Sequence, residues 1–257
     1  MPARRRAWSW CGWSTSGSWP IASPPEAGAI ILAAGKGLRA SDGGSGELKQ
    51  YRPVGGVRLL LRAIRPFAQH PRIGPIVVVL PPEDAARPPE WLQALLSERL
   101  IVAAGGEERQ HSVANGLARL PSGVTLVLVH DAARPFVDRE LIDRVLAVAA
   151  LGVCAVPGLP LADTVKETDT AGLVVRTVPR ERLVAVQTPQ AFPRALLENA
   201  HQRARSDANA LSTDDASLCE RLGHPVRVVA GSARNIKVTT PDDFVIADAI
   251  AAAWSAP

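Results

Sequence analysis

Short apolar runs alternate with amphipathic stretches from residue 27 to the end of the chain. The runs are rich in Ile, Val and Leu and are mostly flanked by Gly or Pro, which is typical of buried strands. The stretches between them repeat apolar residues three and four positions apart, the spacing of one helix face. Strands are predicted at 29–34, 75–80, 100–105, 125–130, 152–158 and 225–231. Helices are predicted near 58–69, 83–97, 108–120, 138–150, 190–205, 214–222 and 241–253.

This alternation favours an α/β fold with an open, mostly parallel sheet and helices on both faces. Ligands of such sheets bind beyond the carboxyl ends of the strands. One segment breaks the pattern, because residues 163–178 contain two β-rich pieces around the turn-like TDTAG. We therefore expect a protruding β-hairpin arm, spanning about 163–186.

The first 26 residues differ from the rest of the chain. They hold four of the six Trp, carry three Arg at positions 4–6 and end near a Pro-Pro pair. Polar residues interrupt what would be the apolar core of a signal peptide. We expect residues 1–26 to be a disordered extension or a misassigned start. Residues 27–257 are predicted to form a single domain that includes the arm.

The bulk composition excludes several classes of protein. The formal net charge is only +4, which is too small for a nucleic-acid binder with a broad basic face. No apolar run approaches the roughly 20 residues of a membrane span. The three Cys share no close spacing, so a zinc site or a disulfide framework is not expected. These features favour a cytoplasmic protein that binds neither nucleic acid nor membrane.

The stretch AIILAAGKGLRA at 29–40 ends a predicted strand in a glycine loop. It fails the Walker P-loop pattern, which needs Gly-Lys-Ser/Thr after four intervening residues. It matches the dinucleotide fingerprint Gly-x-Gly-x-x-Gly/Ala, but the SDGGSGE that follows does not continue a helix. Two interpretations stay open: a loop whose amides and cations wrap a triphosphate, and an ordinary solvated loop.

Lysine usage supports the triphosphate interpretation. The chain has 29 cationic residues, of which only four are Lys: Lys36, Lys49, Lys166 and Lys237. The Lys side chain ends in a compact ammonium group, whereas the Arg side chain ends in a planar, branched guanidinium. Rare lysines in an Arg-rich chain therefore indicate positions where a guanidinium cannot take the place of the ammonium group.

Several motifs occur together in one order: IILAAGKGLR, KQY, GGEERQHSV, VLVHDAARPFV, ADTVKET, QTPQAF, STDDAS and NIKVTTPDDF. In this order they resemble the 2-C-methyl-D-erythritol 4-phosphate cytidylyltransferase family over about residues 27–250. HDAARP and NIKVT are the most specific of them. The resemblance implies a Rossmann-like sheet of the nucleotidyltransferase type.

The resemblance also implies an activity, a metal and an assembly. Members of this family transfer CMP from CTP to methylerythritol phosphate with Mg²⁺ or another divalent cation, and they release pyrophosphate in isoprenoid precursor synthesis. We thus expect CTP and a polyol phosphate as substrates. The family arm reaches into a second subunit, which implies a homodimer with shared sites.

Site residues follow from the same resemblance. The implied catalytic cations are Arg39, Lys49, Arg180 and Lys237. The implied nucleotide-binding residues are Ala33, Ala34, Gly35, Gly37, Gly106, Ser112 and Asp131, and Asp131 is also the candidate metal ligand. The implied substrate-binding residues are Arg134, Thr164, Thr188, Thr213 and Asp214.

Alternative interpretations remain for particular residues and for the whole chain. Asp131 could simply cap a strand end, Asp214 could cap a helix, and His130 is expected to be structural because it points away from Asp131 along a strand. The chain could be a ribitol-5-phosphate cytidylyltransferase, since the sequence does not resolve the sugar pocket. It could also be a non-catalytic nucleotide-binding homologue or, less consistently with the loop, an NAD-binding oxidoreductase.

Overall fold

The computed structural model of the chain describes residues 26–35, 48–205 and 212–254. Its strands are β1 (Ala27–Leu32), β2 (Pro53–Val54), β3 (Val57–Arg58), β4 (Ile73–Leu80), β5 (Leu100–Ala104), β6 (Leu126–Asp131), β7 (Cys154–Pro160), β8 (Val165–Thr168), β9 (Val174–Val178), β10 (Val184–Val186), β11 (Gln190–Pro193) and β12 (Val226–Ala230). Its helices are α1 (Leu59–Gln69), α2 (Pro82–Ala86), α3 (Glu90–Gln93), α4 (Arg109–Leu117), α5 (Arg139–Ala149), α6 (Arg194–Arg205), α7 (Asp215–Arg221) and α8 (Pro241–Ala253), with a 3₁₀ turn at Lys49–Tyr51.

The main sheet of the described residues has eight strands in the order β10-β7-β11-β6-β1-β4-β5, with β12 also paired to β7. Strands β6, β1, β4 and β5 run parallel, as do β7 and β12. Strands β10 and β11 run antiparallel to their neighbours. The prediction of an open, mostly parallel sheet is confirmed, and its carboxyl edge is where ligands of such folds bind.

Helices cover both faces of this sheet. On β1, Ile30 belongs to the apolar cluster beneath α4, α6 and α7, whereas Ile31 belongs to the cluster beneath α1 and α5. This alternation is the two-residue period of a strand that is buried on both sides. A third cluster joins Val54, Val238 and Phe244, and it seats α8 against β2.

The arm extends away from this core. Strands β8 and β9 pair antiparallel as a sheet of their own, and β10 returns the chain to the main sheet beside β7. Leu173, Val174 and Val175 near its tip are 68%, 59% and 60% exposed. The predicted hairpin is therefore present, and one chain leaves its apolar side chains uncovered.

Two predicted helices differ from the structure. The helix predicted at 83–97 is two short helices, α2 and α3, because Pro88 and Pro89 lie between them and proline cannot continue a helix. The helix predicted near 190–205 begins as strand β11, because Gln190–Pro193 pairs with β6 before α6 starts. By contrast, α8 has the predicted bounds and a complete capping box between Thr240 and Asp243.

Substituting Gly116 with Val is expected to destabilise the fold. A Cβ at Gly116 in α4 would lie 2.6 Å from Ile30 Cγ2 and 3.2 Å from Val79 Cγ2. Both neighbours are buried, stiff β-branched residues, so the cost of overpacking should be about 1–3 kcal/mol. Urea unfolding of Gly116→Val measures this loss. The control is Gly123→Val, where a Cβ meets nothing within 4 Å; equal losses in the two variants would contradict the packing argument.

Candidate active site

Polar and small residues converge at the carboxyl ends of β1 and β6. Leu32 and Asp131 are register partners at these ends, and the Ala132 amide donates to the Leu32 carbonyl at 2.9 Å. Ala33 and Ala34 continue the chain beyond β1, and Gly35 is exposed. The edge predicted to bind ligand therefore carries both the start of the glycine loop, at 33–35, and the HDAARP segment.

Asp131 is the electrostatic centre of this edge. Its carboxylate lies 2.8 Å from Lys237 Nζ and 3.5 Å from Arg109 Nη2, and its side chain is 14% exposed. Burial alone would raise the pKa of Asp131, but Arg109 and Lys237 lower it to about 2. Asp131 is therefore ionised at neutral pH and lies between two cations. This is more than the alternative interpretation, in which Asp131 only caps the end of a strand.

The backbone of Asp131 is held from below by a buried polar group. Its amide donates to Thr188 Oγ1 at 3.1 Å, and that oxygen also lies 2.9 Å from His130 Nδ1. The other ring nitrogen of His130 lies 3.0 Å from the Arg134 carbonyl oxygen. Burial lowers the pKa of His130 to about 4. His130 is therefore neutral near pH 7 and faces the core, as expected for a structural residue.

Lys49 comes from the 3₁₀ turn and reaches the segment that carries Lys237. Its Nζ donates to the Val238 carbonyl at 3.0 Å. The turn is anchored by Tyr51, whose hydroxyl donates to Asp84 at 2.5 Å and whose ring packs edge-on against Trp91. The structure thus brings the regions of these two lysines together, although they are almost 190 positions apart in the chain.

The paired glycines after β5 form the next wall of the site. The Gly106 amide donates to Ser112 Oγ at 3.1 Å, so buried Ser112 orients this turn. A Cβ on Gly105 would lie 2.4 Å from the Cβ of Ala34, so the two loops touch closely. Small residues are required here because any larger side chain would separate the loops.

Arg134 and Asn235 line the side of the edge that faces the arm. Arg134 Nη1 donates to the Asn235 carbonyl at 2.8 Å, and Nη2 lies 3.5 Å from the carbonyl of Val186 in β10. Asn235 is fully buried and donates to the Thr188 carbonyl at 2.7 Å. The base of the arm therefore ends beside the predicted substrate-binding arginine.

The remaining predicted residues lie further out or already have partners. Thr164 and Arg180 are exposed on the arm, where Arg180 donates to the Ala162 carbonyl. Asp214 caps α7 by accepting from the Ser217 amide at 3.1 Å, so its alternative role as a helix cap is present. Thr213 precedes this cap, and its role stays a prediction, as do those of the two arm residues.

Sequence reasoning missed Arg109, the first residue of α4. Arg109 lies within the motif GGEERQHSV, but the resemblance implies no role for it. Its position directly after a predicted strand and paired glycines was the signal that could have found it, because that position falls at the carboxyl edge of the sheet. Arg39 and Gly37 lie outside the described residues, so their predicted roles stay predictions.

Among the predicted site residues, Asp131 is the candidate metal ligand. Among the described residues no group of three or more His, Cys, Asp or Glu side chains could hold a metal ion. Mg²⁺ often binds through one or two carboxylates and completes its coordination with substrate phosphates. A single ionised carboxylate fits this mode of binding and does not fit an all-protein metal cage.

The described part of the chain also contains no helix with the length and apolar character needed to cross a membrane.

The comparison with known families agrees with this geometry. The family model for 2-C-methyl-D-erythritol 4-phosphate cytidylyltransferase matches residues 27–253. The chain belongs to this cytidylyltransferase family. A relative from Geobacillus thermodenitrificans that carries the same name is 43% identical over 226 residues, covering 87% of this chain and 96% of the relative.

Other relatives of this cytidylyltransferase family are longer. A bifunctional IspD/IspF enzyme from Solidesulfovibrio magneticus is 47% identical over 221 residues, which cover 84% of this chain and 54% of that enzyme. The chain thus spans about half the length of such relatives. Among solved structures, the cytidylyltransferase of Thermus thermophilus is 38% identical with a TM-score of 0.72, covering 87% of this chain and 98% of that one.

The buried His130 should make stability depend on pH. Unfolding restores an ordinary pKa near 6.5, so between about pH 6.5 and pH 4 the unfolded chain binds a proton that the folded chain does not. Stability should therefore fall with falling pH, by roughly 2 kcal/mol from about pH 7 to about pH 5 for this group. Urea unfolding at both pH values should show a weaker pH dependence for His130→Gln.

The matched control is His111→Gln, since His111 is exposed on α4. It should keep the pH dependence of the wild-type chain. A His130→Gln variant as pH-sensitive as the wild type would contradict the assignment of a buried neutral imidazole.

Proposed function

We propose that this chain transfers CMP from CTP to 2-C-methyl-D-erythritol 4-phosphate, giving 4-diphosphocytidyl-2-C-methyl-D-erythritol and pyrophosphate. The observation that carries the proposal is a set of cations at the carboxyl edge of the sheet: Lys237 and Arg109 pair with Asp131, and Lys49 donates to the carbonyl of Val238, next to Lys237. Arg134, three residues after Asp131, donates to the Asn235 carbonyl. Two anionic substrates can meet at such a set of cations. The names of the matched relatives support the choice of 2-C-methyl-D-erythritol 4-phosphate as acceptor and of a cytidylyl group as the group transferred, and CTP is the proposed donor.

The chemistry of this transfer needs no general base. The phosphate monoester of the acceptor has a second pKa near 6, so it is a dianion at neutral pH. One of its oxygens attacks the α-phosphorus of CTP, and the bond from that phosphorus to the pyrophosphate oxygen breaks. The histidine beside Asp131 is buried and neutral, which agrees with a site that moves no proton.

Catalysis then depends on stabilising negative charge. Lys49 and Arg39 are assigned to the α-phosphate and the departing pyrophosphate, where charge grows in the transition state. Lys237, Arg134 and Arg180 are assigned to the phosphate of the acceptor. The loops at 33–35 and 105–106 carry only small residues, and Gly35 is exposed, which suits close approach of the cytosine and ribose.

The proposed metal is Mg²⁺. Asp131 would hold it through a carboxylate oxygen, together with phosphate oxygens of CTP. With a pKa of about 2, Asp131 is ionised at neutral pH and would therefore attract the ion. The ion would in turn neutralise negative charge on the phosphates.

The proposed assembly is a homodimer in which the arms are exchanged. Two features support it: the apolar tip of the arm is uncovered in one chain, and Thr164 and Arg180, which flank strands β8 and β9 at the base of the hairpin, are exposed. A contiguous exposed apolar patch on a β-hairpin is typical of an interaction surface. The partner's arm would then complete the acceptor side of each site.

Pyrophosphate release is the test of this function. The chain is incubated with CTP, Mg²⁺ and either 2-C-methyl-D-erythritol 4-phosphate or ribitol 5-phosphate. Faster turnover of the methylerythritol compound is expected. Faster turnover of ribitol 5-phosphate would overturn the choice of substrate, and CTP binding without any pyrophosphate release would indicate a non-catalytic homologue.

Lys49→Ala should lower kcat much more than it raises the KM for CTP. The charge that Lys49 meets appears mainly in the transition state, and loss of one such group typically costs about 10²–10³-fold in kcat. Steady-state kinetics on pyrophosphate release measures the two constants. Arg87→Ala, at an exposed position between α2 and α3, is the charge-matched control and should retain wild-type rates. An unchanged kcat in Lys49→Ala would remove Lys49 from the mechanism.

Mixing two inactive variants tests whether sites are shared. If each site combines Lys49 of one chain with Arg180 of its partner, a mixed dimer of Lys49→Ala and Arg180→Ala has one intact site and one doubly altered site. Random mixing should then restore about a quarter of wild-type activity, since half of the dimers are mixed and each has one working site of two. Recovery should be absent if both residues act within one chain, and that result would reject arm exchange.

A further inference from the structure

An ion network continues from Asp131 through Arg109 to the buried pair of Asp215 and His201. Arg109 Nη1 donates to Asp215 Oδ2 at 2.6 Å, while its Nη2 lies 3.5 Å from Asp131 Oδ1. The second oxygen of Asp215 lies 2.9 Å from His201 Nε2. Asp215 is fully buried and His201 is 5% exposed, so neither can touch a bound nucleotide.

The distances show which carboxylate holds Arg109. Its contact with Asp215 has the length of a strong charge-assisted hydrogen bond, whereas its contact with Asp131 is a longer ion pair. Asp131 instead makes its short bond with Lys237, at 2.8 Å. Asp215 thus anchors the guanidinium on one side, and this leaves Asp131 free to pair with Lys237.

The two aspartates compete for one guanidinium. Burial lowers the pKa of Arg109, but the charges of Asp215 and Asp131 more than reverse this effect, so the guanidinium stays charged. A buried charge that loses its partner moves toward the nearest remaining one, because an unpaired ion in the interior is costly. Without the charge of Asp215, Arg109 would therefore close on Asp131.

We propose that Asp215, oriented by His201, is a positioning residue that holds Arg109 at the carboxyl edge and keeps Asp131 from being captured by it. The inference rests on the proposed cytidylyl transfer, because it assumes that CTP binds between the glycine loops and Asp131. Arg109 opens α4, three residues before the serine that orients Gly106. A shift of its guanidinium toward Asp131 would therefore disturb this nucleotide side of the site.

The purely structural alternative is that Asp215 only ties α7 to α4 and α6. If Asp215 has only this structural role, its replacement lowers stability, and any effect on CTP binding is the same whether or not Arg109 is present. A positioning role acts through Arg109, so its effect on CTP should vanish once Arg109 is replaced. A double-mutant cycle separates these two roles.

The experiment measures KM for CTP, kcat and the affinity for CTP by calorimetry. The variants are Asp215→Asn, His201→Asn and Arg109→Gln, together with the two double variants that contain Arg109→Gln. Asp215→Asn is expected to weaken CTP binding about tenfold, the scale of one charge-assisted hydrogen bond. In the Arg109→Gln background the same change should cost less than about twofold.

The matched control is Asp143→Asn. Asp143 also accepts from a buried histidine, His70, at 3.0 Å, but it lies on α5 on the other face of the sheet. It should leave CTP affinity within about twofold of the wild type. If Asp215→Asn does not fold, His201→Asn decides the question, because it disturbs the orientation of Asp215 and leaves the buried charge in place.

Two results would overturn the proposal. One is wild-type CTP affinity in a folded Asp215→Asn or His201→Asn variant. The other is a loss that persists at full size in the Arg109→Gln background. Calorimetry needs no turnover, so these outcomes differ from a failure of the proposed function, which would appear as missing pyrophosphate release by the wild-type chain.

Discussion

Like charges repel, so a site that holds several cations close together needs an opposing charge between them. In this chain the carboxylate of Asp131 supplies the opposing charge. It pairs with Lys237 and Arg109, and its low pKa keeps it ionised across the whole physiological range. Since a desolvated ion pair is stable only when both members are held by further hydrogen bonds, much of the surrounding polar structure serves to fix this one aspartate.

The fold provides those hydrogen bonds from several distant parts of the chain. Thr188 holds the backbone of Asp131, and buried Asn235 holds the carbonyl of Thr188. His130 fills the space beneath and remains neutral there, so it adds no charge that would compete with the cations above. The result is a rigid polar support under an edge that otherwise consists of small residues and glycine turns, and rigid donors are what electrostatic catalysis requires.

The cations themselves come from elements that the sheet topology places at one edge. Lys49 arrives on a turn anchored by Tyr51 and Asp84, and α8 packs beside β2 so that the segment with Lys237 and Val238 lies across the end of the sheet. The arm leaves from the same edge and returns beside Arg134. One chain thereby places Lys49, Lys237, Arg109 and Arg134 at this edge, and the apolar tip of its arm is exposed.

Strands and helices could be predicted from the sequence alone where a short stretch of chain carries the signal, either as the spacing of apolar residues or as the residues that start a helix. Ile30 and Ile31 alternate between the two cores, and Thr240 and Pro241 mark the start of α8 in the sequence itself. The resemblance through HDAARP and NIKVT predicted Asp131 and Lys237 as site residues, since those motifs are contiguous, and the structure places the two side chains 2.8 Å apart. Only the tertiary structure assigned β11 to the sheet and linked Arg109 to Asp215 and His201, because these depend on contacts between residues up to 106 positions apart, for which no local pattern exists.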